Sequence, residues 1–264
     1  AACQASLTHS LRKRPTRSLV AAAFSPTDAP ADTTWRRRPD RPIIARDRRR
    51  GEGHMGQRRL VTVYIDYKSP YAYLAKDLVY ELERDFAARI DWLPYVLDIP
   101  SFLGSATLDE NGRVVEENRN AHQWRRVKYL YMDCRRQAKK RGLIIRGPQK
   151  IWDSTLAAAG LLYAKRQGAE VLRRYNDIVF ERFWKRELDI EDSAVIGAVL
   201  AEAGVAMDGA AAYLADAGPR QVGEISRAAE KAGIFGVPSF VIDGEQFWGR
   251  EHLPDIRQML AGTA

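Results

Sequence analysis

Leu60-Val61-Thr62-Val63-Tyr64-Ile65-Asp66-Tyr67-Lys68-Ser69-Pro70 is the stretch whose reading decides the fold. Its first half is apolar and β-branched and follows two arginines, which predicts a buried strand. Its second half turns at once into a helix start, with Ser69 where an N-cap belongs and Pro70 at the first helical position. Tyr73, Leu74, Leu78, Leu82 and Phe86 then recur at helical spacing, to about Ala88, and Ile90–Val96 reads as a second strand. The front of the chain is therefore a strand–helix–strand unit.

At the other end, Pro238–Ile242 reads as a strand, Asp243-Gly244 as a hairpin turn, Glu245–Trp248 as the partner strand and Glu251–Leu260 as a last helix. Residues 98–112 read as a loop, and from about Asn118 to Ala232 the pattern is helical throughout, with segments expected at 119–141, 149–167, 168–186, 191–203, 208–216 and 219–232. The order β-α-β, helical block, β-β-α predicts an α/β chain with a thioredoxin-like fold and an inserted all-helical domain. The expected boundaries are 1–58 for an Arg-rich disordered segment, 59–97 with 233–264 for the thioredoxin-like domain, and 98–232 for the insertion.

The net charge of +8 over 264 residues invites a nucleic-acid or membrane reading, so its location matters. Residues 1–54 hold 12 Lys+Arg against 5 Asp+Glu, whereas 55–264 hold 30 against 29. The excess sits in a segment without periodicity, for which a transit segment, a nucleic-acid arm and an over-extended reading frame compete; the last, with Met55 as natural start, is preferred. Within the remainder, residues 113–150 carry 12 Lys+Arg against 3 Asp+Glu. That stretch reads as a solvated helix face, with Trp124, Tyr129 and Tyr131 turned to the core, or as a local field for an anionic ligand. Neither nucleic acid nor membrane is an expected partner. Two cysteines, Cys3 and Cys134, and four scattered histidines supply no disulfide scaffold or metal cluster. Cys134 reads as a buried apolar residue in mid-helix.

Two sites carry chemistry. At Ser69-Pro70-Tyr71-Ala72 the first turn of a helix presents unpaired N–H groups and the positive end of a dipole, where anions are favoured. Redox proteins of this fold place Cys-x-x-Cys there; with both cysteines absent, disulfide exchange through the motif is excluded, and a hydroxyl able to hydrogen-bond a ligand's thiolate remains. Ser69 could equally serve as a helix cap alone. At Phe235-Gly236-Val237-Pro238-Ser239, a proline opens a strand through either a cis turn or a trans edge-strand arrangement. In the cis case the Val237 backbone is left for an extended peptide-like ligand.

Together, "DYKSPYAYLA" at 66–75, "MDCRRQAKKRGL" at 132–143 and "AGIFGVPSFVIDGEQFWGREHL" at 232–253 resemble the DsbA-like branch of the thioredoxin superfamily. The likeness is to its cysteine-free members, the 2-hydroxychromene-2-carboxylate isomerases and kappa-class glutathione transferases, over about residues 59–262. The resemblance implies that Ser69 holds the glutathione sulfur and that Val237, before a cis Pro238, pairs with the cysteinyl backbone. It also implies that Gly249-Arg250-Glu251 binds the γ-glutamyl end. Glu251 and His252 stand where Asp and Arg are usual, and a Gly-Asn-Lys-Pro-Pro type segment has no match in Glu116–Ala121.

The function implied is a glutathione-dependent isomerase of a small aromatic carboxylate in the cytoplasm, with a homodimer left open. Glutathione transferase or oxidoreductase activity, or a catalytically silent binding module, are the alternatives.

Overall fold

The computed structural model describes residues 58–262. The reading of the Arg-rich segment as disordered falls, but for Arg58, outside the described residues.

Alternation in the first strand sets the layers. In β1 (Leu60–Ile65) the side chains of Val61, Val63 and Ile65 are buried on one face, and Tyr64 sits half-buried on the other. β1 pairs in parallel with β2 (Arg89–Pro94), Val63 opposite Trp92, and antiparallel with β5 (Ser239–Ile242), Val63 opposite Phe240. β5 pairs with β6 (Glu245–Trp248), giving the sheet order β2-β1-β5-β6. Strands from both chain ends thus meet at the centre of one mixed sheet, as the thioredoxin-like reading requires. α1 (Pro70–Phe86) covers the Val61 face, where the main core lies. A smaller cluster of Tyr95, Ala229, Ile234 and Val237 closes against Tyr64 and Val241 on the other. A short 3₁₀ turn, Arg250–His252, and α9 (Leu253–Ala261) follow β6.

The inserted block is not all-helical, which corrects the expectation. After a short α2 (Ile99–Leu103), strands β3 (Ser105–Leu108) and β4 (Val114–Asn118) form a two-stranded antiparallel hairpin, β3 within the expected loop 98–112 and β4 between that loop and the first expected helix. β4 is exposed along its whole length, so it has no buried face and leaves no apolar alternation to read. The helices that follow are α3 (Ala121–Lys140), α4 (Thr155–Lys165), α5 (Ala169–Trp184) and α6 (Ser193–Glu202).

A second correction concerns Gly218-Pro219, expected to separate two helices. The chain runs from α7 (Ala210–Ala212) through a π turn, Tyr213–Ala217, into α8 (Gly218–Lys231) without leaving helical geometry. Pro219 falls in the first turn of α8, where its missing N–H costs little. A Cβ at residue 218 would come within 2.8 Å of the Ala159 Cβ, so glycine is there for close approach to α4. Sheet and insertion belong to one compact unit.

What joins the insertion to the β1–α1 junction is aromatic. Phe180 of α5 lies 4.8 Å from Tyr67 and stacks at 5.6 Å on Tyr73, centroid to centroid. The buried Tyr67 hydroxyl donates to Asn176 Oδ1 at 2.6 Å. Tyr67→Phe strands that oxygen, and a loss of about 1–3 kcal/mol is expected in urea unfolding. Tyr67→Phe with Asn176→Leu should recover part of it, because both members of the hydrogen-bonded pair are then gone.

Candidate functional site

Ser69 is the N-cap of α1. Its backbone is extended, its Oγ accepts the Ala72 N–H at 3.3 Å, and Pro70 removes one of the orphan donors of the first turn. The Tyr71 N–H makes no hydrogen bond among the described residues. Across the sheet, the Ser69 hydroxyl donates to the Val237 carbonyl at 3.4 Å, a long contact between residues 168 positions apart. The Val237–Pro238 bond is cis. Ser239 Oγ donates to the Gly236 carbonyl at 2.7 Å and holds this turn, while the Val237 N–H is unused among the described residues.

Ser69 and Val237 both line a cavity of about 840 Å³ between the sheet end, α2, the β3–β4 hairpin, α3 and the segment before α4. Its walls are aromatic, with Tyr71, Phe102, Trp124, Tyr131, Trp152, Phe235 and Trp248, and no carboxylate is among its lining residues. Cations are, from Lys68 just before the α1 cap to Arg126, Lys128 and Arg135 on α3 and Lys150 and Arg186 beyond it. Lys150 is paired with Glu191 at 2.5 Å, whereas among the described residues neither Arg126 nor Lys128 has a carboxylate within 4.0 Å. Tyr71 spans site and insertion, its hydroxyl donating to Asp133 of α3 at 3.0 Å. Burial together with that carboxylate raises the Tyr71 phenol well above its ordinary range. It is a neutral donor throughout the working range of pH.

Pro238 accepts the Gly249 N–H at 2.9 Å, which closes the turn between β5 and the last helix. Gly249 takes φ 103°, and the exposed Glu251 carboxylate fills the space a Cβ at 249 would need. Gly249, Arg250 and Glu251 follow directly on Trp248 of the cavity rim but do not line the cavity themselves.

The three aromatics of α3 depart from their sequence reading, and a fourth side chain, Lys68, had none. Tyr129, expected in the core, is 60 % exposed, because the buried stripe of α3 runs through Val127, Cys134 and Ala138. Trp124 and Tyr131 are half-buried and face the cavity instead. Lys68, unremarked within its motif, is only 7 % exposed and lines the cavity next to Ser69. Its signal was the placing of a charge between a buried aromatic and a helix cap, a position where solvent is scarce.

Cys134 is fully buried, and burial pushes its thiol up to about 11. A buried thiol kept in its neutral form is a poor nucleophile. Alkylation followed by peptide mass spectrometry should leave Cys134 unmodified in the native protein at mildly alkaline pH and modify it fully in denaturant. Among the described residues no group of His, Cys, Asp and Glu is arranged to hold a metal ion, and no helix is long and apolar enough to cross a membrane.

A family model described as the DSBA-like thioredoxin domain matches residues 60–261. The chain belongs to that family. Among DsbA-like proteins it is similar to the 2-hydroxychromene-2-carboxylate isomerase of Sphingobium xenophagum, 25 % identical over 205 residues that span 76 % of this chain and 98 % of the relative. The isomerase of the same name from Pseudomonas putida is 24 % identical over 196 residues, 74 % and 90 % of the two chains. In structure, a 2-hydroxychromene-2-carboxylate isomerase superposes with a TM-score of 0.59 at 21 % identity, covering 77 % of this chain and 95 % of the other. The cytosolic disulfide reductase DsbM of Pseudomonas aeruginosa, solved with GSH, does so with a TM-score of 0.52 at 13 % identity, covering 77 % and 98 %. These superpositions establish the shared DsbA-like fold.

Proposed function

We propose that this DsbA-like protein is a glutathione-dependent isomerase of a small aromatic carboxylate. The observation that carries the reading is the meeting of Ser69 and Val237 on the wall of an aromatic cavity that is lined by cations and by no carboxylate. An aromatic acid suits such a cavity on both counts, since its ring is taken up by the aromatic walls and its charge by the Lys and Arg side chains.

The residues present also fit glutathione. The Ser69 hydroxyl holds the Val237 carbonyl only at 3.4 Å, so turning it toward a sulfur anion gives up little. The free Tyr71 N–H lies at the positive end of the 17-residue α1. A hydrogen bond to a charged group contributes about 1.5–3 kcal/mol and a helix end about 0.3–1 kcal/mol, together enough to hold a bound thiol as its anion near neutral pH. The Val237 N–H and carbonyl offer an antiparallel pairing to a peptide backbone, and the exposed Glu251 offers a counter-charge to an α-amine beside Gly249 and Arg250. When bound, glutathione supplies a thiolate that adds reversibly to an unsaturated carbonyl, so that a double bond becomes a rotatable single bond. The protein's share is to hold that charge, orient the two ligands and keep water from the cavity. The curated relatives named as isomerases and the DsbM structure with GSH support this reading, as does the missing Cys-x-x-Cys. The cytoplasm, rich in reduced thiols, is the setting it requires.

Isothermal titration of the protein with reduced glutathione tests it. Saturable binding below millimolar concentration is expected, weakened by Val237→Pro, which removes the amide donor; no heat at millimolar glutathione would leave the silent binding module as the better account. A panel of electrophiles, run with and without glutathione, separates transfer from isomerisation.

A further inference from the structure

We propose that Lys68 is a second holder of the thiolate, supplying a full positive charge beside the Ser69 hydroxyl. The inference rests on glutathione binding as proposed above and adds to it a residue of this chain.

Lys68 is unusual in what it lacks. Its side chain is 6 % exposed, and among the described residues its ammonium meets one carboxylate, Asp66, at 3.6 Å, beyond hydrogen-bond reach. Asp66 is itself occupied: Oδ1 accepts the Lys68 N–H at 3.1 Å and Oδ2 the Leu97 N–H at 2.8 Å. The Lys68 ammonium therefore makes no hydrogen bond among the described residues, and its nitrogen is not sealed from solvent. Its one counter-charge there is Asp66, at ion-pair but not hydrogen-bond distance. An anion in the cavity, which Lys68 and Ser69 line side by side, would supply the acceptors that this ammonium lacks. The equally buried Lys76 is handled differently, hydrogen-bonded to both Asp77 and Asp177.

The step assigned to Lys68 is electrostatic. The bound thiol gives its proton to solvent, the sulfur keeps the electron pair, and the Lys68 side chain faces the new charge. An opposite charge within about 4–6 Å shifts such an equilibrium by about tenfold or more.

The test compares wild type with Lys68→Met, which keeps an unbranched side chain one atom shorter and removes the charge, and with Lys68→Arg, which keeps the charge. The readouts at neutral pH are the ultraviolet absorbance of bound thiolate and the affinities for glutathione and S-methylglutathione, the latter unable to ionise at sulfur. Lys68→Met should lose about tenfold or more of the thiolate absorbance, keep its affinity for S-methylglutathione, and be restored in absorbance by Lys68→Arg. Undiminished absorbance in Lys68→Met overturns the proposal while leaving Ser69 in place. So does an equal loss of affinity for both ligands, which marks Lys68 as structural. Should Lys68→Met not fold, Lys68→Gln is read by the same criteria. Absence of glutathione binding by the wild type overturns both readings together.

Discussion

Ser69→Ala is expected to lower glutathione-dependent turnover by about 10²- to 10³-fold, the effect of deleting one well-placed donor to a developing or resident anion. The fold should survive. The substitution also removes an N-cap, because Ser69 Oγ accepts the Ala72 N–H, and caps contribute about 1 kcal/mol. In a chain of this size that is a fall of only about 2–4 °C in Tm. Circular dichroism melts alongside steady-state kinetics separate the two roles, cap and thiolate holder. A variant with the lowered Tm and wild-type turnover would reduce Ser69 to a cap.

Phe180→Ala carries the largest expected effect on stability. The ring is fully buried against Tyr67 and Tyr73, one on each side of Ser69 in sequence, and truncation of a buried Phe costs about 3–5 kcal/mol. That is a large part of the ~5–15 kcal/mol by which a domain is stable. Urea unfolding should show the loss, and native protein should lose turnover disproportionately, since α5 backs the turn that presents Lys68 and Ser69. A stability change of less than about 1 kcal/mol would mean that the insertion does not support this junction.

How far the residues alone could reach follows from where each signal resides. The β1–α1 junction was legible because its determinants are local: a β-branched run, a serine cap and a proline at the first helical position, all within Leu60–Pro70. Its counterpart at Val237-Pro238 was legible only as a pair with it, and the 3.4 Å contact between Ser69 and Val237 is made by the sheet, not by either motif. The β3–β4 hairpin was not legible, since Val114–Asn118 is exposed throughout and carries Glu116 and Glu117. Gly218-Pro219 misled because the same dipeptide that ends a helix also suits the first turn of one packed closely on α4. The cationic stretch 113–150 was visible as a number, but only the fold decides that the exposed Arg126, Lys128 and Arg135 also border a cavity. Tyr129 shows the limit from the other side, an aromatic displaced from the buried stripe of α3 by a fraction of a turn.

The central claim is that this cysteine-free DsbA-like site works through a bound thiol. It is tested most directly by following the isomerisation of 2-hydroxychromene-2-carboxylate, by absorbance, with purified protein in the presence and absence of reduced glutathione. Turnover that requires glutathione and disappears when S-methylglutathione replaces it is the predicted result. Isomerisation at the same rate without any thiol, or no isomerisation beside ready reduction of insulin disulfides, would contradict the account.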